Sequence, residues 1–278
     1  MIVARDLAAL RQARARLPRT LALVPTMGAL HAGHLALVAA ARVAAGHVAA
    51  SIFVNPLQFT AAADLARYPR TEEEDLAALE AAGCDLAWVP DAEAMYAPDR
   101  AATVDVAGPA EGFEGAARPG HFRGVATVCT KLFLQCRADV AVFGEKDWQQ
   151  LQVIRRVVRD LDIPIAILPV PTVREEDGLA LSSRNRFLTR EERALAPMLA
   201  REGFAAAEAL AAGGPAETTL APARARLAEA GFGVEYLALV EAGTMRPLGR
   251  RGDAPARLVA AARLGSVRLL DNWAIPGQ

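Results

Sequence analysis

Pro25-Thr26-Met27-Gly28-Ala29-Leu30-His31-Ala32-Gly33-His34 follows an apolar run at 21–24 and leads into an alanine- and leucine-rich segment at 34–45 with helical periodicity. A short buried strand stopped by a proline, a glycine-containing turn and a helix opening at the second histidine make a strand-turn-helix unit. Gly28 and Gly33 let the backbone come close to a ligand. The amino end of a helix attracts phosphate through its free N–H groups and its dipole. His31 and His34, three residues apart, project toward one side of that helix start. The stretch therefore reads as a phosphate cradle with imidazole donors. The competing reading is that one histidine caps the helix and the other packs in the core. A zinc pair is disfavoured, because only His47 and His121 remain among four histidines and no cysteine spacing supplies further ligands. No metal-binding residues are expected.

Working outward, apolar runs at 48–54, ending at Asn55-Pro56, and at 140–143, ending at Gly144, read as further buried strands, with shorter ones at 86–89 and 163–170. Segments at 72–82, 121–135 and 147–160 carry helical periodicity, and residues 1–18 read as an amphipathic first helix. Alternating strand and helix is the signature of a parallel sheet covered on both faces, and in such sheets ligands bind beyond the carboxyl ends of the strands. Past 173 the pattern changes. A connector, Glu175-Glu176-Asp177-Gly178, precedes helical stretches at 191–212 and 218–230, separated by Gly213-Gly214-Pro215, and strand-like runs at 234–240, 257–262 and 267–270. The expected fold class is α/β: a Rossmann-like doubly wound parallel sheet over 1–175, with a smaller C-terminal α+β domain over 176–278.

Bulk composition narrows the partners. In 278 residues, 53% hydrophobic and 23% charged, Lys+Arg 31 against Asp+Glu 32 leaves a net charge of -1. There is no basic field to draw the chain onto nucleic acid or anionic lipid, so neither a nucleic-acid nor a membrane partner is expected, and any phosphate is held locally. Cys84, Cys129 and Cys136 are odd in number and lack C-x-x-C spacing, which reads as buried thiols in a reducing compartment. With no secretory apolar core and no run of about 18 apolar residues, the expected location is cytoplasmic.

Polar residues cluster just past the strand ends. Asn55 and Gln58 offer side-chain amides suited to the hydroxyl and carboxylate oxygens of a small acid, although Asn55 beside Pro56 also suits a plain turn. Lys146 suits phosphate as a mobile point charge, Asp147 either accepts from a ribose or caps the next helix, and Gln150 lies one helical turn after Lys146. Ser182, Ser183 and Arg184 supply two hydroxyls and a guanidinium, suited to phosphates or else to a solvated connecting loop.

His31-Ala32-Gly33-His34 resembles the H-x-G-H element of the nucleotidylyl transferase superfamily, which also contains the class I aminoacyl-tRNA synthetases. The longer string Pro-Thr-Met-Gly-x-Leu-His-x-Gly-His resembles the pantothenate synthetase family. So do Ser51-Ile52-Phe53-Val54-Asn55-Pro56-Leu57-Gln58-Phe59, Tyr68-Pro69-Arg70-Thr71, Arg118-Pro119-Gly120-His121-Phe122-Arg123-Gly124-Val125, Gly144-Glu145-Lys146-Asp147-Trp148-Gln149-Gln150-Leu151 and Asp177-Gly178-Leu179-Ala180-Leu181-Ser182-Ser183-Arg184-Asn185. These cover most of the first 188 residues; the rest matches weakly, through 258–264 and 268–272.

The resemblance implies an ATP-dependent ligase that adenylates pantoate, releases pyrophosphate and passes the pantoyl group to β-alanine with release of AMP. It implies ATP contacts at Met27, Gly28, Ala29, Leu30, His31, Ala32, Gly33, His34, Gly144, Glu145, Lys146, Asp147, Val173, Leu181, Ser182, Ser183 and Arg184. Gln58 and Gln150 would hold pantoate, and Gln58 would also meet β-alanine; Asn55 is added to the substrate set from its position. His34, His31, Lys146 and Arg184 form the expected catalytic set, with His34 usually labelled a proton donor and physically better described as a hydrogen-bond donor to phosphate oxygen. Mg2+ carried by the polyphosphate, a homodimer and a second domain closing as a lid over ATP are also implied. A transferase that keeps the nucleotide on its product, a nucleotide-binding regulator without turnover and a tRNA synthetase fragment are the rival readings, the last opposed by the absent basic domain.

Overall fold

The computed structural model describes residues 1–17, 20–60 and 62–275, and the chain divides into two compact units, Met1–Glu145 with Val153–Pro171, and Lys146–Gln152 with Thr172–Gln278. The first unit runs β1 (Ile2–Ala4), α1 (Leu7–Ala15), β2 (Leu21–Thr26), α2 (Ala32–Ala44), β3 (His47–Ile52), α3 (Ala62–Arg67), α4 (Glu72–Ala81), β4 (Leu86–Trp88), α5 (Ala92–Met95), α6 (Phe113–Ala117), α7 (His121–Cys136), β5 (Val140–Gly144), the part of α8 (Trp148–Asp160) from Val153 onward, and β6 (Ala166–Val170). Six strands lie in the order β1-β4-β3-β2-β5-β6, every neighbouring pair parallel. This is the doubly wound α/β sheet expected.

Burial on both faces explains the near-continuous apolar strands. In β2, Ala22 and Val24 join Val38 and Ala41 of α2 and Leu79 of α4 in one core cluster, while the intervening Leu21 and Leu23 are also fully buried. Contacts of α7 with β2, and of α1 with α7, cover the other side. The chain leaves β2 toward β3 in one direction and returns to β5 on the opposite side of β2, so the strand order reverses between β2 and β5. The residues past the carboxyl ends of these two strands, beginning at Met27 and Glu145, therefore stand at the topological switch point where ligands of such sheets bind.

The amino terminus differs from expectation. Instead of one helix, Ile2–Ala4 is an edge strand paired with β4, and the helix starts only at Leu7 behind Asp6, whose carboxylate accepts the Ala9 N–H. A three-residue strand is too short to show a period. Pro18, the end of the expected helix, lies outside the described residues. Pro169 within β6 is tolerated because β6 is an edge strand paired only with β5.

The second unit contains α9 (Arg190–Leu195), α10 (Pro197–Ala211), α11 (Ala216–Glu229), β7 (Phe232–Glu241), β8 (Ala256–Leu264) and β9 (Val267–Ala274). The single helix expected over 191–212 is two, broken before Pro197, which opens α10 at its first position. The three strands form an antiparallel meander, β7-β8-β9. Leu199, Leu210, Leu220 and Leu227 from the helices pack with Leu237, Leu258 and Trp273 from the sheet in one buried cluster. Among the described residues no helix is long and apolar enough to cross a membrane.

Candidate active site

In the first unit the chain leaves β2 through two successive left-handed residues, Gly28 (φ 79) and Ala29 (φ 51), before α2 begins. His31 is the N-cap of α2: its Nδ1 accepts the Gly33 N–H at 3.1 Å, and His34 Nδ1 accepts the His31 N–H at 3.3 Å. The two rings stand 4.2 Å apart, centroid to centroid. Both histidines thus form a reciprocal cap, and neither is a core filler. A neutral imidazole that accepts at Nδ1 carries its proton on Nε2, so each ring is a hydrogen-bond donor there.

The expected cradle of free backbone amides needs correction. Gly28 N–H donates to Thr26 Oγ1 (3.2 Å), Ala29 N–H to Asp75 Oδ2 (2.9 Å), Leu30 N–H to Asp75 Oδ1 (2.7 Å), and His34 N–H to the His31 carbonyl (2.8 Å). With the His31 and Gly33 amides also engaged, six amides between Gly28 and His34 donate within the chain. What this helix start offers an anion is its dipole and imidazole N–H groups.

Asn55 caps and Gln58 ends a 3-10 turn at Pro56–Gln58 past β3, and both are buried. Asn55 Oδ1 accepts from the Leu57 N–H (3.2 Å) and the Tyr96 hydroxyl (2.9 Å), while its Nδ2 donates to the Gly124 carbonyl (3.1 Å) and to Gln58 Oε1 (3.0 Å). All four hydrogen-bonding positions of the amide are filled by protein groups. In this arrangement the Asn55 side chain orients Gln58. Leu57 N–H can only donate and the Gly124 carbonyl can only accept, so they set the Asn55 amide, which in turn sets Gln58 with Oε1 inward and Nε2 toward Met27 Sδ (2.7 Å).

The Gln58 carbonyl is held as well. Arg118 donates to it through Nη2 (3.1 Å) and to His121 Nε2 through Nη1 (3.3 Å), which leaves His121 Nδ1 as the donor to the same carbonyl (2.9 Å). Gly124 lets the backbone of the Pro56–Gln58 turn approach α7 closely, because a Cβ there would lie 2.3 Å from the Leu57 carbonyl oxygen. Burial pushes the Tyr96 phenol up from its ordinary value of 10.0, so it remains a hydroxyl donor. Sequence alone does not single out Asp75, Tyr96, Arg118 or His121: Arg118 and His121 lie within the Arg118–Val125 segment, whereas Asp75 is the last of four consecutive acids.

Gly144 and Glu145 close the β5 end in the first unit, whereas Lys146, Asp147, Gln150, Val173, Leu181, Ser182, Ser183 and Arg184 belong to the second. There, Lys146, Ser182 and Arg184 line one cleft with Asn185, Arg268 and Asp271. Ser182 caps the 3-10 turn Ser183–Phe187 by accepting the Arg184 N–H, and Asn185 Nδ2 donates to the Ala180 carbonyl (3.0 Å). The Leu181 N–H donates to the Val173 carbonyl (3.0 Å). Beneath the loop, Arg174 forms a two-pronged pair with Asp271 (2.6 and 2.8 Å) and donates to the Gly178 carbonyl (3.0 Å). The neighbouring Asn272 donates to the Lys146 carbonyl (2.8 Å) and accepts from Arg257, whose guanidinium lies 3.5 Å over the Trp148 ring. Asp271 and Asn272, adjacent on β9, thus anchor Arg174 with the Gly178 turn and the Lys146 backbone. Gln150 lies half-buried in the first turn of α8. Among the described residues no group of three or more His, Cys, Asp or Glu gathers as a metal site.

The chain matches the family model described as pantoate-beta-alanine ligase over residues 2–274. It is 56% identical over 279 residues to a protein of Acidiphilium cryptum (strain JF-5) named pantothenate synthetase, covering 99% of this chain and 100% of that one. The crystal structure of pantothenate synthetase from Thermus thermophilus superposes with a TM-score of 0.92 at 47% identity, covering 100% of both chains. A pantoate-beta-alanine ligase from Francisella tularensis, solved in complex with beta-gamma ATP and β-alanine, superposes with a TM-score of 0.83 at 30% identity, covering 99% of this chain and 97% of that one. With a model match over nearly its whole length and relatives of this identity, the chain belongs to the pantoate-beta-alanine ligase family and is a ligase of pantothenate biosynthesis.

Proposed function

We propose that the chain condenses pantoate with β-alanine in two ATP-dependent steps, and that His31, His34, Lys146 and Arg184 are its catalytic donors and cations. In the first step a pantoate carboxylate oxygen attacks the α-phosphorus of ATP in line. A new P–O bond forms, the bond to the β-phosphate bridging oxygen breaks, and pyrophosphate leaves. In the second, the β-alanine amine attacks the pantoyl carbon, the C–N bond forms, AMP leaves with the C–O electron pair, and the amine gives up a proton. Both steps build charge on phosphate oxygens, so positioning and preorganised donors carry the catalysis.

The reciprocal histidine cap is the observation that supports this reading most directly. It occupies both Nδ1 atoms with backbone amides, so each ring acts as a fixed Nε2–H donor and delivers no second proton. Gly144, Glu145 and Asp147 complete the nucleotide set, with Lys146, Ser182, Ser183 and Arg184 on the β- and γ-phosphates, and Val173 and Leu181 at the nucleotide through the backbone. Gln58 and Gln150 hold pantoate, Gln58 as an N–H donor to a hydroxyl or carboxylate oxygen. The second unit closes as a lid over ATP, shielding the adenylate from water. Mg2+ would be carried by the polyphosphate oxygens, where it would offset their charge. A homodimer in the cytoplasm completes the proposal; the three buried free cysteines suit a reducing compartment.

Single-turnover assays with pantoate and ATP, following pyrophosphate without β-alanine, test the assignment. Removal of one preorganised donor in His34→Ala or Lys146→Ala lowers the burst rate by about 10²- to 10³-fold. A near wild-type rate in both variants refutes it.

A further inference from the structure

Asp75 is one of four consecutive acids in the first turn of α4, an arrangement that reads as a solvated partner for the helix dipole. Unlike Glu73 and Glu74, which are exposed, Asp75 is buried, at 3% exposure. Its carboxylate accepts the Ala29 N–H, the Leu30 N–H and the Thr71 hydroxyl at 2.9, 2.7 and 3.1 Å. It also lies against Gly28: a Cβ at that residue would sit 2.9 Å from Asp75 Oδ2. Thr71 is the backbone N-cap of α4, yet its side chain makes no cap hydrogen bond, and its hydroxyl is turned to Asp75 instead.

Left-handed backbone at a residue with a side chain costs about 1–2 kcal/mol and persists only where its surroundings over-determine it. Ala29 is such a residue, and the two amides that follow the left-handed Gly28 are those the carboxylate grips. His31 comes next but one and caps α2. The position of the carboxylate therefore sets where the turn ends, where the helix begins, and where the two Nε2–H groups stand.

We infer that Asp75 is a positioning residue for adenylation, acting through His31 and His34 by locking the Gly28–Ala29 turn. The inference rests on the proposed role of those histidines. Asparagine at this site would keep one acceptor but turn an NH2 group onto the second amide, which loosens the turn without opening a cavity.

The test measures the amplitude and rate of the pantoate-dependent pyrophosphate burst in wild type, Asp75→Asn, Thr71→Val, His34→Ala and the Asp75→Asn/His34→Ala double variant. Amplitude counts folded, competent sites; rate reports geometry. Expected is a full amplitude with a rate lower by about 10- to 100-fold in Asp75→Asn, a smaller fall in Thr71→Val, and little added loss when Asp75→Asn is placed on His34→Ala. Reduced amplitude at unchanged rate in Asp75→Asn and Thr71→Val, or fully additive losses in the double variant, overturns the inference. If Asp75→Asn does not fold, Thr71→Val carries the test, since it removes one bond to the carboxylate and no cap, and an unchanged rate there overturns the inference. A normal rate in His34→Ala overturns the underlying site assignment instead, so the two failures are distinguishable.

Discussion

Replacing Asn55 by Asp probes the orientation of Gln58 with almost no change of shape. The Oδ1 side remains matched to Leu57 N–H and the Tyr96 hydroxyl, but the group facing Gly124 O and Gln58 Oε1 changes from a two-hydrogen donor to an oxygen. Two neutral hydrogen bonds are lost at a site 1% exposed, each worth about 0.5–1.5 kcal/mol. Gln58 regains a partner only by turning its amide over, which presents Oε1 where Nε2 had been. Two bonds at that value total about 1–3 kcal/mol, or a loss of about 5- to 150-fold in kcat/KM for pantoate, at about 1.4 kcal/mol per decade. The assay is steady-state kinetics with pantoate varied at saturating ATP and β-alanine, beside thermal melts. Asn55→Asp should raise KM for pantoate well beyond any change in KM for ATP. A variant that melts several degrees lower while keeping kcat/KM for pantoate within about twofold of wild type would refute the reasoning, because Asn55 would then serve folding alone, far short of the tenfold that 1.4 kcal/mol represents.

Two further outcomes concern stability. Gly203 of α10 is packed against Trp273, and a Cβ there would fall 2.1 Å from the indole Cζ2; Gly203→Ala should cost about 1–3 kcal/mol of overpacking, seen as a lower melting temperature, and an unchanged melt would contradict the close contact. Burial pushes the thiols of Cys84 to about 11 and of Cys129 and Cys136 to about 12 from an ordinary 9.0. The unfolded chain then releases these protons first, so their contribution is complete below pH 9 and is lost as pH rises from there toward the folded values. Cys129→Ala should accordingly lose less melting temperature than wild type between pH 8 and pH 10, and equal losses would count against it. Ellman's reagent should label the native chain only as fast as it opens.

Much of this molecule was legible in its sequence because the deciding signals are local. Apolar runs ending at Pro25, Asn55 and Gly144 marked the strands of a two-faced parallel sheet, and the strand ends located Met27–His34, Gln58 and Gly144–Asp147. The two histidines were visible as a pair. The sequence left open whether they are phosphate donors or whether one caps α2 and the other packs in the core; that both cap α2 through Nδ1 follows only from the conformation of the turn through Gly28 and Ala29. Likewise the β1 strand was invisible because three residues carry no period; only pairing with β4 makes Ile2–Ala4 a strand.

By itself the sequence determined the elements, the parallel sheet, the family resemblance and the polar residues at each strand end, since each depends on neighbours a few positions away. Tertiary structure decided what those residues are free to do. Asp75 takes the amides of Ala29 and Leu30 from 46 and 45 positions away, Gly124 and Tyr96 engage Asn55 from 69 and 41, and Asn272 holds Lys146 from 126. A buried donor or acceptor must find a partner wherever the fold supplies one, so the roles of Asn55, Asp75 and Asn272 follow from packing between distant segments, which no local pattern of residue types encodes.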